Sequence, residues 1–191
     1  MASTAVHQVR DFITTQKDSL VDLVKRLVEA ESPSAHPEYH ASVRRVLASA
    51  LMDVGYVVRE PGAVRGVRHV FARPAKRPRD RGSQLLLGHF DTVWPMGTIG
   101  RRPFRMNGNT LHGPGVFDMK GGLVQSILAL RTLRNLGIDL PATPVIFVNA
   151  DEEIGSRTST HYIRMLARRA ARAFVMEPAM GEAGEIKTER K

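Results

Sequence analysis

The side chains best suited to chemistry in this sequence are a histidine and several carboxylates that follow short apolar runs. His89 and Asp91 stand at the end of the run LLLGHFD, residues 85–91. The leucines predict a buried strand, and because side chains alternate along a strand, His89 and Asp91 should point to the same side. A nearby carboxylate commonly orients a metal-binding imidazole. The pair therefore indicates a candidate metal ligand, although a histidine at a strand end is more often simply hydrogen-bonded.

Three further acidic positions follow, each where a strand ends or a helix starts. Asp118 lies in HGPGVFDMKGG, between a glycine-rich turn and a run with helical spacing, where capping of the helix is the simpler explanation. Asp151, Glu152 and Glu153 follow the apolar run PVIFVNA. Three adjacent carboxylates repel one another unless a cation lies among them, and the alternative is a solvated acidic turn. Glu177 follows the short strand AFVM and precedes a proline.

Helical and strand-like patterns alternate along the chain, and their order predicts the fold. Helices are expected at residues 5–30 with a break near Lys17, 37–54, 118–136 and 159–168, and strands at residues 56–60, 68–73, 84–88, 145–149 and 173–176. This order is typical of an α/β fold, here a three-layer sandwich with a mixed, mostly parallel sheet flanked by helices. Ligands of such sheets bind where the carboxyl ends of strands meet, so the histidine and carboxylates should converge there.

A net charge of +9 raises the question of a polyanionic partner. Lysine and arginine concentrate in residues 73–81, in residues 164–172 and in the last five residues. We interpret the first run as a loop between strands and LARRAARA, residues 166–173, as the polar face of a helix. Neither run contains interleaved aromatic residues, and the sequence has no nucleic-acid-binding motif. No apolar stretch reaches transmembrane length. We therefore expect neither nucleic acid nor membrane as a partner, although a basic surface attracts anionic substrates.

Other motifs and the absence of cysteine narrow the chemistry further. GPGVFD lacks the third glycine of a dinucleotide-binding fingerprint, and neither a Walker loop nor an H-E-x-x-H motif occurs. Without cysteine, a transition-metal site has to use imidazole and carboxylate ligands, which suits zinc, cobalt or manganese. The segment MASTAVHQVRDF has no signal-peptide pattern, and the missing cysteines are compatible with a reducing compartment, so a cytoplasmic location is expected.

Four segments together resemble the successive motifs of one enzyme superfamily. GHFDTVWPMGT, LHGPGVFDMKGG, NADEEIGS and MEP are similar to the motifs of the zinc-dependent carboxypeptidase/aminoacylase superfamily, which includes glutamate carboxypeptidase, acetylornithine deacetylase and succinyl-diaminopimelate desuccinylase. HFDTVWPMGT followed by RPF is most similar to the glutamate carboxypeptidase branch. The resemblance implies a hydrolase that cleaves an amide bond next to a free carboxylate. Its substrate would be an N-acyl amino acid or a short peptide, with glutamate as one product to test.

The resemblance also implies a centre of two divalent metal ions, with zinc favoured over cobalt or manganese. His89 and Glu177 would bind one metal, Glu153 would bind the second, and Asp118 would bridge the two. Such a pair of ions, roughly 3.5–4 Å apart, activates a water molecule and polarises a carbonyl group.

Two further residues receive catalytic roles from the same resemblance. Glu152 would be the general base that takes the proton of the attacking water and passes it to the departing amine. Asp91 would hold His89 in place. The superfamily also has a cis peptide bond after the bridging aspartate, which corresponds to Asp118–Met119 here.

The resemblance further implies that the chain is a fragment, because relatives are about twice as long. Residues 1–191 would be the N-terminal part of the catalytic domain, without the inserted dimerisation or lid domain and without the C-terminal part. The second metal-binding histidine would lie in that missing part, and His112 is interpreted as structural. Full-length relatives are expected to be homodimers. The sheet is expected to end with a strand near residues 184–188. The alternative to an enzyme is a non-catalytic remnant that binds metal.

Overall fold

The computed structural model describes residues 2–64, 66–76, 78, 80–181 and 183–186, and these residues contain six α-helices. The helices are α1 (Ala2–Thr15), α2 (Lys17–Glu29), α3 (Ala41–Asp53), α4 (Thr98–Arg101), α5 (Gly121–Asn135) and α6 (Thr160–Ala167). A 3-10 turn (Pro37–Tyr39) precedes α3, and a distorted helical turn (Val116–Lys120) precedes α5. The predicted break near Lys17 is confirmed, since α2 begins at that residue.

Helix burial follows the apolar spacing of the sequence. In α5, Leu123, Val124, Ile127 and Leu130 are buried at intervals that place them on one face of the helix. Gly55 follows α3 with a φ of 84°, a left-handed conformation that favours glycine after a helix end. Among the described residues, no helix combines the length and apolar character that crossing a bilayer demands.

The strands form one main sheet and two small hairpins. They are β1 (Tyr56–Arg59), β2 (Gly62–Val64), β3 (Val67–Arg68), β4 (Val70–Pro74), β5 (Ser83–His89), β6 (Arg105–Asn107), β7 (Thr110–His112), β8 (Thr143–Asn149) and β9 (Ala170–Val175). The main sheet has the order β1-β4-β8-β5-β9, while β2 pairs with β3 and β6 with β7. The predicted α/β sandwich with a mixed sheet is confirmed.

The sheet is less parallel than expected. β5 pairs in parallel with β8 and β9, whereas β1–β4 and β4–β8 are antiparallel, so half of the strand contacts are parallel. A short excursion through the β2–β3 hairpin joins β1 to β4, and such a connection allows an antiparallel pair without a crossover helix.

The interpretation of LARRAARA as a helix face is wrong for its second half. α6 ends at Ala167, and Ala170–Val175 forms the edge strand β9. Ala170 pairs with Ser83 and Arg172 with Gln84, and the Arg172 guanidinium also donates a 2.8 Å hydrogen bond to the Gln84 side chain. Pairing with β5 therefore overrides the helix propensity of alanine and arginine.

Several smaller expectations also differ from the structure. Residues 94–108, for which neither a helix nor a strand is expected from the sequence, contain α4 and β6. The strand expected near residues 184–188 is not part of the main sheet within the described residues, because Glu185 forms only an isolated bridge with Met180. The basic residues 187–191 and positions 77 and 79 of the first basic run lie outside the described residues.

The two faces of the main sheet carry separate apolar clusters. The larger lies between the sheet and α2, α3 and α5 and includes Leu27, Leu47 and Val148. On the other face, the buried apolar side chains of the cluster among the described residues are only Leu85, Val145 and Phe147, which lie beneath partly buried side chains of α6. Alternate residues of β8 face the two clusters, as the strand period requires.

Candidate metal centre

His89 is the last residue of β5, and its side chain is buried in the interior. The His89 side chain is 1% exposed, and its Nδ1 lies 3.0 Å from the main-chain oxygen of Asp91 and 3.5 Å from a carboxylate oxygen of that residue. Because a carbonyl oxygen only accepts, Nδ1 carries a proton and donates it to Asp91. Nε2 faces the other way, toward Asp118 at 3.0 Å. In the neutral ring Nε2 therefore has the lone pair that a metal ion needs.

Asp91 is the buried carboxylate that joins this strand end to its surroundings. Its Oδ2 accepts hydrogen bonds from the Ser34 hydroxyl at 2.8 Å and from the Glu153 backbone N–H at 3.2 Å. Its Oδ1 accepts from the Glu152 backbone N–H at 3.1 Å. The predicted support of His89 by Asp91 is thus accompanied by a second connection, to the backbone of the acidic turn.

Asp118 lies in the distorted turn that leads into α5. Its φ and ψ of −120° and 102° are not helical, and the Asp118–Met119 peptide bond is cis, as the resemblance implied. The Asp118 side chain is 54% exposed while one oxygen contacts the buried His89 ring. The carboxylate therefore bridges the interior and the open side of the centre, and it does not merely cap α5.

Glu177 is placed by a close approach between two backbones. The N–H of Met176 donates to the Leu87 oxygen at 2.8 Å, which extends the β5–β9 pairing by one residue. A Cβ at Gly122 would lie 2.0 Å from the Met176 oxygen, so only glycine fits there. Glu177 then follows with an oxygen 3.4 Å from His89 Nε2.

The acidic turn after β8 completes the cluster. A Glu152 oxygen lies 4.0 Å from His89 Nε2. Potential ligand atoms lie within 4.8 Å of one another in two groups, one of His89, Glu152 and Glu177, the other of His89, Asp118 and Glu153. The structure therefore brings together every residue that was predicted to bind metal. In these groups Glu152 rather than Asp118 accompanies Glu177, and the implied division of the ligands between two ions stays a prediction.

The charges of this cluster favour a cation. Burial alone lowers the pKa of His89, but its hydrogen bonds with Asp91 and Glu177 and their negative charges raise that pKa to about 11. Burial raises the pKa of Glu152 and Glu153, and nearby carboxylates raise it further, against the opposing effect of His89. A positive charge among these groups relieves their repulsion. One imidazole nitrogen and several carboxylate oxygens, without sulfur, form a donor set that fits zinc, cobalt or manganese.

Two residues that hold this arrangement were not among the predicted site residues. Ser34 contacts Asp91 from a segment 57 residues away, so no local spacing could reveal it. Lys120 is buried, and its Nζ donates to the carbonyl oxygens of Leu27 at 2.8 Å and Ala30 at 3.1 Å. Burial lowers the pKa of Lys120 to about 7. The lysine ties the turn that carries Asp118 to the end of α2.

The five-stranded α/β sandwich gathers one histidine and four carboxylates at its strand ends and at the turn before α5, an arrangement typical of a metallopeptidase domain. The model of Peptidase family M20/M25/M40 matches residues 85–189, more than half of the chain. The chain therefore belongs to this peptidase family, which confirms the resemblance found in the sequence motifs.

Individual relatives agree with this assignment. Carboxypeptidase G2 of Pseudomonas sp. (strain RS-16) is 30% identical over 188 residues, which cover 93% of this chain and 44% of that protein. Acetylornithine deacetylase of Erwinia tasmaniensis is 30% identical over 172 residues, covering 86% of this chain and 44% of the relative. The chain thus spans less than half the length of these relatives.

Solved structures show the same fold. Human carnosine dipeptidase 1 superposes with a TM-score of 0.75 at 21% identity, over 91% of this chain and 42% of that one. The dipeptidase Dug1p of Saccharomyces cerevisiae superposes with a TM-score of 0.76 at 15% identity, over 94% of this chain and 42% of that one. At these identities the likeness supports the fold and not a particular substrate.

Proposed function

We propose that residues 1–191 form the N-terminal part of the catalytic domain of a metal-dependent hydrolase that cleaves an amide bond next to a free carboxylate. The convergence of His89 with Asp118, Glu152, Glu153 and Glu177 is the observation that carries this proposal. Membership of a peptidase family, with a carboxypeptidase and a deacetylase among the relatives, supports the reaction class.

The proposed centre holds two divalent ions, with zinc favoured. His89 Nε2 and Glu177 would bind one ion, Glu153 would bind the other, and Asp118 would contact both. The 3.0 Å and 3.4 Å separations of His89 Nε2 from Asp118 and Glu177 support their sharing an ion with the histidine. When bound, such ions polarise the amide carbonyl and make water more acidic.

Glu152 is proposed as the general base. Its side chain is 43% exposed, which leaves it accessible to water, and its backbone N–H is fixed by the buried Asp91 carboxylate. The raised pKa of Glu152 suits a group that first accepts a proton and then returns it. Glu152 would take a proton from water as the water oxygen attacks the amide carbon. It would then deliver that proton to the nitrogen as the C–N bond breaks.

The proposed substrates are small N-acyl amino acids or short peptides with a free carboxylate, and release of glutamate is the finer alternative. Relatives named as a carboxypeptidase and an acetylornithine deacetylase support this class. The net charge of +9 favours approach of anionic substrates over a distance.

The test combines metal analysis with an assay of hydrolysis. The purified chain is loaded with zinc, and release of glutamate from a series of N-acyl-glutamates is measured beside metal stoichiometry. Glu152→Gln should abolish hydrolysis and leave metal content nearly unchanged, whereas Glu153→Gln should lower metal content. Equal metal loss in both variants would contradict the division of roles. Zinc binding by the unaltered chain without any hydrolysis would favour the alternative, a metal-binding protein without turnover.

A further inference from the structure

We propose that His69, Asp151 and Thr158 form a buried hydrogen-bond relay that positions the two carboxylates Glu152 and Glu153 in the metal centre. The inference rests on the proposed function and extends it to residues that belong to neither group of potential ligand atoms. Asp151 is the first of three consecutive carboxylates. Unlike its two neighbours, it forms hydrogen bonds with Thr158 and Ser159 and does not belong to the groups of potential metal ligands.

The Asp151 carboxylate is not among the potential ligands of the metal centre, and both of its oxygens accept hydrogen bonds. Its side chain is 1% exposed. Oδ2 accepts from the backbone N–H and the hydroxyl of Thr158 at 2.6 and 2.8 Å, and Oδ1 accepts from the Ser159 hydroxyl at 2.6 Å. Both oxygens are therefore committed to the residues that open α6. A buried carboxylate with this many donors fixes the local backbone, because losing one donor would leave charge uncompensated.

His69 connects this carboxylate to the main sheet. It lies just before β4 and is fully buried, and its Nδ1 accepts a hydrogen bond from the Ala150 backbone N–H at 3.2 Å. The proton of the neutral ring is therefore on Nε2, which donates to the Thr158 hydroxyl at 3.3 Å. That hydroxyl in turn donates to Asp151. Each donor in the relay faces one acceptor, so the order of hydrogen bonds is uniquely defined.

The relay holds the turn of residues 151–156, in which one residue has an unfavourable backbone conformation. The Ser156 N–H donates to the Asp151 main-chain oxygen at 2.6 Å, which closes the turn, and Ser156 has a φ of 54° although it is not glycine. Its hydroxyl accepts a hydrogen bond from the Asn149 side chain at 3.2 Å. A conformation that is unfavourable for serine persists only when its surroundings hold it.

The turn is therefore held from two sides. On the inner side, the backbone N–H groups of Glu152 and Glu153 donate to Asp91, the residue that also supports His89. On the other side, Asp151 is anchored through Thr158 to His69. Releasing the second anchor should let Glu152 and Glu153 move relative to His89, and metal and general-base geometry tolerate only small displacements.

The test measures cobalt binding to the full chain and uses a pair of substitutions at one position. Thr158→Val keeps the shape but removes the hydroxyl, and Thr158→Ser keeps the hydroxyl. We expect Thr158→Val to weaken Co²⁺ affinity at least tenfold and to change the visible absorption spectrum of bound Co²⁺. Thr158→Ser should restore the affinity to within about threefold of the unaltered chain and recover its spectrum, on the order expected for a retained hydrogen bond.

A matched control separates positioning from general destabilisation. Thr132 is another buried threonine, whose hydroxyl donates to the Leu128 oxygen within α5 at 2.8 Å. Thr132→Val should lower stability to urea and leave Co²⁺ affinity and spectrum unchanged. Should Thr158→Val fail to fold, Ser159→Ala removes the hydroxyl that donates to Asp151 and accepts from the Asn149 side chain, and it should still weaken Co²⁺ binding at least threefold.

The outcomes distinguish this inference from the function on which it rests. If the unaltered chain binds no Co²⁺, the proposed metal centre is wrong and the relay has nothing to position. If the unaltered chain binds Co²⁺ and the Thr158 and Ser159 variants bind it with the same affinity and spectrum, the metal centre stands and the relay is overturned.

Discussion

The two faces of the central sheet are built differently. The face beneath α2, α3 and α5 is a continuous apolar core in which side chains such as Leu27, Leu47 and Val148 have no exposed surface. On the opposite face, α6 has no fully buried residue, and the edge strand β9 leaves Val175 57% exposed. We call the face that packs against α2, α3 and α5 the well-packed side of the sheet, and the face that packs against α6 the thin side.

The residues of the candidate metal centre come from elements on both sides of the sheet. Asp118 precedes α5 on the well-packed side, whereas Glu177 follows β9 and the turn with Glu152 and Glu153 leads into α6 on the thin side. Regions with few buried apolar contacts open at low free-energy cost. The carboxylates on the thin side therefore depend on local hydrogen bonds and close backbone contacts more than on the core. Hydrogen bonds from Asp91 and from Thr158 and Ser159 accordingly hold the acidic turn.

The largest predicted effect tests the difference between the two faces directly. Leu47→Ala in α3 removes a fully buried side chain and should lower the free energy of unfolding by about 2–5 kcal/mol. Leu166→Ala in α6 removes a partly buried side chain, and the loss should be about 1 kcal/mol. Urea unfolding of both variants measures the two losses. Equal losses would mean that the thin face contributes as much to stability as the main core.

The sequence revealed the parts of the fold that have strong local patterns. The leucines of β5 and the apolar run of β8 identify these two strands from their own sequences. The polar residues after them, His89 and the pair Glu152 and Glu153, lie close together in the structure as expected. By contrast, β9 begins with Ala170 and Arg172, which have no strand preference and form a strand only because β5 offers an unpaired edge. Patterns within a segment cannot reveal pairing that a distant segment imposes.

The same limit explains what was missed in the candidate site. Capping and a solvated turn were reasonable alternatives for Asp118 and Asp151, and only the structure separates the two residues. Asp118 contacts His89, while Asp151 is bound by donors from residues 158 and 159. His69 is distant in sequence, and nothing in its neighbours indicates that its ring would meet Thr158. The metal-ligand roles themselves stay predictions.

A second prediction concerns the junction of the two faces. Gly122→Ala would place a methyl group 2.0 Å from the Met176 backbone oxygen, so the end of β9 has to shift and carry Glu177 with it. We expect Co²⁺ affinity to fall between about tenfold and a hundredfold, or about 1.4–2.8 kcal/mol. A cobalt titration measures the change.

Gly100→Ala is the matched control for this substitution. Gly100 lies in α4, and a Cβ there would meet no atom within 4 Å, so affinity and stability should stay close to those of the unaltered chain. Unchanged cobalt binding in Gly122→Ala would show that the position of Glu177 does not depend on the close approach of α5 to β9.

The last prediction is a pH dependence of metal binding that originates at His89. Its pKa of about 11 means that the ring is protonated near neutral pH in the metal-free protein, and a metal ion has to displace that proton. Apparent Co²⁺ affinity should therefore rise with pH between about pH 6 and 8, by at most about tenfold per unit, with about one proton released. Calorimetric titrations in two buffers of different ionisation enthalpy measure the released proton.

Because the folded-state pKa of His89 is raised, its proton also stabilises the metal-free fold. This stabilisation is complete below the unfolded-state pKa of about 6.5 and is lost as pH rises toward 11. Metal binding thus replaces a stabilising proton on the buried half of the centre while the half-exposed carboxylates remain negative. An affinity independent of pH, with no proton released, would show that His89 is not a ligand and that the carboxylates of the thin side bind the ion alone.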